Sequence, residues 1–175
     1  YIRPGDVVLD VACGLGYGSH ILHYNSQASS VLGVDIDESA VAYAEFNYGV
    51  PGHVEFRCGD AEMLRFVEDN SVDFIAAFET IEHVPRPTEY LRELKRVLKP
   101  SGRVMICAPN NWVDETGEDP NPHHLHVYSW ERLRDECREK FLVEKSFMQI
   151  AGGAMKCHHS PRKWREIDPD GLPVE

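Results

Sequence analysis

Short, near-continuously apolar runs alternate along this chain with longer amphipathic stretches, and this alternation restricts the fold more than any other feature. The runs are Asp6 to Ala12, Ser30 to Asp35, Val54 to Cys58, Ser71 to Phe78 and Gly102 to Ala108. A strand that is apolar on both faces must be covered on both, as parallel strands between helices are. The stretches between the runs supply helices: Ser19 to Tyr24, Ser39 to Tyr48, Thr88 to Leu98 and about Ser129 to Lys140. In the third, Tyr90, Leu91, Leu94, Val97 and Leu98 form an apolar stripe at helical spacing, opened by Pro87 and Thr88 and closed by Lys99-Pro100-Ser101-Gly102. Phe141 to Ile150 reads as a sixth strand, and nothing after Gly152 supplies a convincing seventh. The expected architecture is α/β, an open, mostly parallel, twisted sheet with helices on both faces.

With 175 residues the chain fits one domain, a core over 1–150 and an irregular segment over 151–175. No apolar run approaches the roughly 18 residues that a membrane helix needs, so a soluble, cytoplasmic protein is expected. Twenty-nine acidic against eighteen basic residues give a net charge of −11, which repels a phosphate backbone and argues against nucleic acid as a partner. The one basic group, Lys156, His158, His159, Arg162, Lys163 and Arg165, reads as a solvated tail. The five cysteines, Cys13, Cys58, Cys107, Cys137 and Cys157, lack paired spacing and read as reduced, mostly buried thiols. Between Asn110 and Tyr128 lies a long polar connection, a candidate substrate loop or lid.

The chemistry concentrates where strands end. Val8-Leu9-Asp10-Val11-Ala12-Cys13-Gly14-Leu15-Gly16-Tyr17-Gly18-Ser19 passes from a strand through three alternating glycines into a helix. Glycine permits close approach of backbone to a ligand, and free N–H groups at a helix start attract negative charge. Asp10, ahead of the glycines, suits a cationic ligand. Asp35, ending the second strand, can accept both hydroxyls of a ribose. After the third strand, Asp60 can accept from an adenine amino group while the Ala61 N–H faces a ring nitrogen, and Ile36 can cover the base. Each acid is also an ordinary turn or cap residue when taken alone. Together they lie at the carboxyl ends of adjacent strands, where open α/β sheets bind ligands.

These motifs, spread from Asp6 to Ile150, resemble those of the class I S-adenosylmethionine methyltransferases, with their Rossmann-like sheet. The G-x-G-x-G spacing departs from the G-x-G-x-x-G of nicotinamide and flavin enzymes, the main rival class. The resemblance implies S-adenosyl-L-methionine as cofactor. Asp10 then lies by its amino group and Cys13, Gly14, Gly16 and Tyr17 beside it. Asp35 and Ile36 meet the ribose and base, Asp60 and Ala61 the adenine, and Phe78 and Glu79 the methionine portion. Leu98-Lys99-Pro100-Ser101-Gly102 is similar to the family's L-K-P-G-G turn. The family's sheet ends in an antiparallel strand pair, of which only Phe141 to Ile150 is evident. Its N-terminal cap helices, and one edge strand, are expected to be missing here.

Glu79-Thr80-Ile81-Glu82-His83-Val84 places two carboxylates and an imidazole in one turn. His83 can serve as a general base toward a hydroxyl, or Glu79, Glu82 and His83 can bind a divalent metal. The E-x-x-E-H run is similar to that of the ubiquinone-biosynthesis O-methyltransferases and the small-RNA 2′-O-methyltransferases, whose metal site adds a later histidine. In this sequence that histidine corresponds to His124, with His123 and His126 as competitors. Metal ranks below the plain reading, a helix start with solvated histidines. The expected reaction is in-line methyl transfer to a hydroxyl of a small-molecule, lipid-linked or sugar acceptor, with His83 and His124 as the catalytic candidates. A non-catalytic cofactor-binding module and an RNA 2′-O-methyltransferase are the alternatives.

Overall fold

The computed structural model describes residues 1–111, 113, 116–150 and 163–167. The chain divides into two compact units, Tyr1–Tyr128 and Ser129–Glu175. The first holds β1 (Val7–Val11), α1 (Tyr17–Ser26), β2 (Ser30–Asp35), α2 (Glu38–Tyr48), β3 (Val54–Cys58), β4 (Val72–Phe78), α3 (Pro87–Val97) and β5 (Leu98–Cys107). The second holds α4 (Trp130–Arg138), β6 (Ser146–Ile150) and β7 (Lys163–Ile167).

The five strands of the first unit are all parallel and run in the order β3-β2-β1-β4-β5. The chain winds outward from β1 in one direction, then returns and winds in the other. The helices α1 and α2 pack together, and the right-handed crossover rule places them on the face opposite α3. This is the α/β architecture expected from the sequence. The strands are apolar because both faces are covered: Val8, Leu9, Val11, Ile75, Ala76 and Ala77 are at most 1% exposed. Phe74 and Ala76 of β4 meet Val8 and Val31 beneath Ala28 and Leu22, while Ala44, Val54 and Phe56 pack with Val41 and Tyr48 under α2. Burying each such side chain stabilises the fold by about 1.5–3 kcal/mol.

Two boundaries differ from the sequence reading for identifiable reasons. The turn expected at Lys99-Pro100-Ser101-Gly102 lies inside β5, as a bulge: Val72 pairs with Leu98, but Phe74 pairs with Arg103. Asp73 holds it, with Lys99 Nζ 2.8 Å from both of its carboxylate oxygens while the Val7 N–H donates to Oδ2. The first helix starts at Tyr17 because Gly16, at φ +82°, turns the chain into it. It ends at Gln27, also left-handed.

In the second unit, Ser129 caps α4 by accepting from the Arg132 N–H at 3.2 Å. The Phe141 N–H still bonds to the Cys137 carbonyl, so the strand expected from Phe141 begins at Ser146. That strand has an antiparallel partner after all, β7, in a separate two-stranded sheet. Lys163 and Arg165, read as tail, therefore belong to a strand; Lys156, Cys157, His158, His159 and Arg162 lie outside the described residues. Among the described residues no helix is long and apolar enough to cross a membrane.

Candidate functional site

The sheet order makes Asp10, Asp35, Asp60 and Glu79 neighbours, because β3, β2, β1 and β4 deliver their carboxyl ends side by side. The direction of winding reverses between β1 and β4, which is the crevice where such sheets take ligands. On β1, Asp10 is opposite Gly33 of β2 and Ala76 of β4. The loop from Ala12 to Gly16 then turns sharply, with φ of +57° at Ala12, +52° at Gly14 and +82° at Gly16. Two hydrogen bonds hold it: the Cys13 N–H donates to the Val34 carbonyl, and the Gly14 N–H donates to Asp35 Oδ2 at 2.8 Å. The glycines differ in purpose. A Cβ at Gly16 would lie 2.5 Å from Ala44 Cβ and 2.8 Å from the Phe56 ring, whereas one at Gly14 would meet nothing within 4 Å.

Asp10 is only 7% exposed, and its Oδ2 accepts from the Ser19 hydroxyl at 2.6 Å. Burial pushes its carboxyl up to about 6; the Ser19 hydrogen bond opposes that rise, and the charge of Asp35 adds to it. A buried carboxylate with one neutral donor lacks a counter-charge, a place for a ligand cation. Burial, with Asp10 and Asp35 nearby, also pushes the Cys13 thiol up to about 12, so it is neutral. Asp35 is bonded to the loop through Oδ2 and to the Asp37 N–H through Oδ1 at 3.0 Å, leaving one further lone pair on each oxygen for hydroxyl donors.

Asp60 Oδ1 accepts from the Glu62 N–H at 2.8 Å, the turn role open to any such acid. Ala61 is half-buried beside it. Ile36 and Tyr17 are exposed at the crevice rim, at 73% and 64%, and Phe78 is also exposed at the end of β4. Apolar side chains left in water at the mouth of a crevice are suited to covering a flat base or a thioether.

Glu79 is left-handed, φ +51°, at the tip of β4. Its N–H donates to the Cys107 carbonyl, and its Oε1 lies 2.7 Å from the Cys107 thiol, which burial and that carboxylate push up to about 12. Of the proposed metal set, Glu82, His83 and His124 come together, each offering a ligand atom within 4.8 Å of the others; Glu79 falls outside this group. His83 and His124 have ring centroids 4.8 Å apart. Glu82 is 1% exposed and neither carboxylate oxygen has a hydrogen-bond partner. Burial, with the charge of Glu79 adding, raises its carboxyl above the ordinary range.

Hydrogen bonds settle which imidazole nitrogens are available. His83 Nδ1 must donate to the His123 carbonyl at 2.9 Å, and His124 Nδ1 donates to Asp119 Oδ2 at 2.7 Å. In the neutral tautomer each Nε2 then carries the lone pair, and the Nε2 of His83 lies 4.0 Å from Glu82 Oε1. Although burial disfavours the Asp119 charge, the Asn121 N–H and His124 outweigh it and hold its carboxyl below the usual range. Of the competitors, His126 is engaged through Nε2 with the Val84 carbonyl, and His123 contributes its backbone carbonyl to His83 while its ring falls outside the group formed by Glu82, His83 and His124. The Leu125 and His126 N–H groups both bond to the Glu82 carbonyl. Residues 119–128 thus form a braced wall against the 82–84 turn. Ser19, Cys107 and Asp119 were not singled out in the sequence; only Ser19 left a signal, at the end of the glycine motif.

A parallel sheet with a glycine turn into a helix, an acid ahead of it and acids ending the next two strands defines a nucleoside-cofactor-binding α/β protein. Residues 9–106 match the family model of the methyltransferase domain, and the chain belongs to the class I S-adenosylmethionine-dependent methyltransferases. A probable S-adenosylmethionine-dependent methyltransferase of Mycobacterium tuberculosis is 32% identical over 163 residues, 92% of this chain and 54% of that protein. A ubiquinone biosynthesis O-methyltransferase of Pseudomonas fluorescens is 34% identical over 107 residues, 61% of this chain and 45% of that protein. Phosphoethanolamine N-methyltransferase 2 of Haemonchus contortus, solved in complex with S-adenosyl-L-methionine, shares the fold. It has a TM-score of 0.74 and 19% identity, covering 86% of this chain and 36% of that one. The chain spans about half the length of the curated relatives it matches.

Proposed function

We propose that this chain forms the cofactor-binding core of an enzyme that moves a methyl group from S-adenosyl-L-methionine to the hydroxyl of a small-molecule, lipid-linked or sugar acceptor. The observation that carries the reading is the row of acids, Asp60, Asp35 and Asp10, at the ends of β3, β2 and β1, with the glycine turn between the last two. In it, Asp10 receives the cofactor ammonium, Asp35 the ribose hydroxyls, and Asp60 and Ala61 the adenine edge. Cys13, Gly14, Gly16 and Tyr17 line the turn, Ile36 covers the base, and Phe78 and Glu79 face the methionine portion. The acceptor oxygen attacks the methyl carbon in line and the thioether leaves, so the protein acts chiefly by holding the two centres aligned. His83 Nε2, or His124 Nε2 braced by Asp119, takes the hydroxyl proton.

Transfer to oxygen is favoured by the imidazoles beside the crevice and by the ubiquinone O-methyltransferase relative; the N-methyltransferase neighbour makes nitrogen the competing acceptor. The net charge of −11 supports an acceptor other than nucleic acid. The free cysteines Cys13, Cys58, Cys107 and Cys137 support a reducing compartment, the cytoplasm.

A second reading is favoured by the two unpartnered oxygens of buried Glu82 beside the His83 and His124 imidazoles: these three residues hold a divalent cation. Such an ion would lower the pKa of an acceptor hydroxyl. Calorimetric titration of S-adenosylhomocysteine tests the cofactor reading, with Asp35→Ala as control and with and without magnesium or manganese. Binding lost in the variant supports the cofactor site, a metal-dependent gain supports the second reading, and an unaffected variant refutes the role of Asp35.

A further inference from the structure

Ser19 stands outside the expected site, yet it is completely buried and makes one side-chain hydrogen bond, to Asp10. It lies in the first turn of α1, three residues past the left-handed Gly16 that aims the helix at the end of β1. The sheet is shaped around it. A Cβ on Gly33, the β2 residue opposite Asp10, would come within 2.9 Å of the Ser19 hydroxyl and 2.4 Å of the Phe56 ring. Gly33 therefore leaves room for both.

We propose that Ser19 is the positioning residue of the cofactor's amino-acid subsite: its hydroxyl fixes one oxygen of Asp10 and keeps that carboxylate ionised to receive the ligand ammonium. This rests on the cofactor reading above. The hydroxyl donates at 2.6 Å, a distance typical of a hydrogen bond to a charged oxygen. The other titratable groups bearing on Asp10 are Asp35, ending β2, and the Cys13 thiol in the glycine loop, and neither can supply positive charge. On the β4 side Asp10 pairs with Ala76, which offers no donor side chain. Ser19 is thus the side-chain group that opposes the rise of the Asp10 carboxyl toward neutrality.

The test titrates wild type, Ser19→Ala and Asp10→Asn with S-adenosylhomocysteine and with 5′-methylthioadenosine, which has the same nucleoside and thioether but no ammonium, between pH 5 and 8. In the wild type, S-adenosylhomocysteine affinity should fall as the pH drops through about 6. In Ser19→Ala that acid limb should move up by about one to two pH units, the worth of a hydrogen bond to a charged group. Affinity near pH 6 should then drop about tenfold, recovering toward pH 8, with Ser19→Thr restoring the donor. Methylthioadenosine binding should stay within about twofold in both variants, which excludes loss of fold. A uniform loss at every pH and for both probes would overturn the positioning role. So would an unmoved acid limb. If the wild type binds methylthioadenosine and S-adenosylhomocysteine equally, Asp10 does not receive the ammonium and the proposal falls; if it binds neither, the cofactor reading fails as well.

Discussion

Replacing Gly16 and Gly14 separately with alanine should separate what holds the fold from what admits a ligand. Gly16 sits at φ +82° and its added methyl would lie 2.5 Å from Ala44 Cβ and 2.8 Å from Phe56, both buried. The left-handed conformation costs an L-residue roughly 1–2 kcal/mol, and forcing a methyl into a packed core adds about 1–3 kcal/mol. Gly16→Ala should therefore destabilise by about 2–5 kcal/mol. At roughly 2–4 °C per kcal/mol for a chain of this size, Tm should fall by at least about 4 °C. Gly14 carries the strain, φ +52°, but has open space around its Cβ position. Gly14→Ala should lose only about 1–2 kcal/mol. If backbone must approach the cofactor there, it should weaken S-adenosylhomocysteine binding out of proportion to its stability loss. Calorimetric melting with titration of both variants reads the two effects. Equal Tm losses, or a Gly16→Ala protein as stable as wild type, would show that packing between α1, α2 and β3 does not set the glycine requirement.

Asp10→Asn should stabilise the ligand-free protein near neutral pH while removing cofactor affinity. Because the folded carboxyl sits at about 6 against an ordinary 3.8, its proton-linked stability is present below pH ~4 and lost as pH rises through 6, up to about 3 kcal/mol. Urea unfolding of wild type and variant from pH 4.5 to 7.5 should show a gap that widens with pH; a constant gap refutes the assignment. Asp119→Asn should weaken manganese binding about 10–100-fold if Glu82, His83 and His124 hold a cation, since it removes the carboxylate that orients His124. Manganese titration that leaves wild type and variant equal excludes that role.

The five parallel strands were readable because burial on both faces writes itself into local composition, and the ligand-facing acids because they end those strands. What escaped depended on partners distant in sequence. The β5 bulge needs Asp73 to be recognised, and β7 has meaning only against β6, since Lys163-Trp164-Arg165-Glu166-Ile167 lacks the strict alternation of a half-buried strand. Glu79 and Glu82 share a turn in sequence, yet the left-handed backbone at Glu79 brings its carboxylate to Cys107, apart from the histidines. The choice of His124 over His123 and His126 rests on Asp119, one acid among several in a polar loop.

The braced wall also has a consequence for how such a chain can diversify. Asn110 forms a bridge with Tyr128, and the Asn111 N–H reaches the Tyr128 carbonyl, so the intervening segment is a loop tied shut at its base. His124 is held independently, through Asp119 and through the two N–H groups on the Glu82 carbonyl. Loop-closure entropy grows only as the logarithm of length, about 0.6 kcal/mol for each doubling. Residues can therefore be added between Asn111 and Asp119 at little thermodynamic cost and without displacing the imidazole. The length of that connection is thus uncoupled from the geometry of Glu82, His83 and His124.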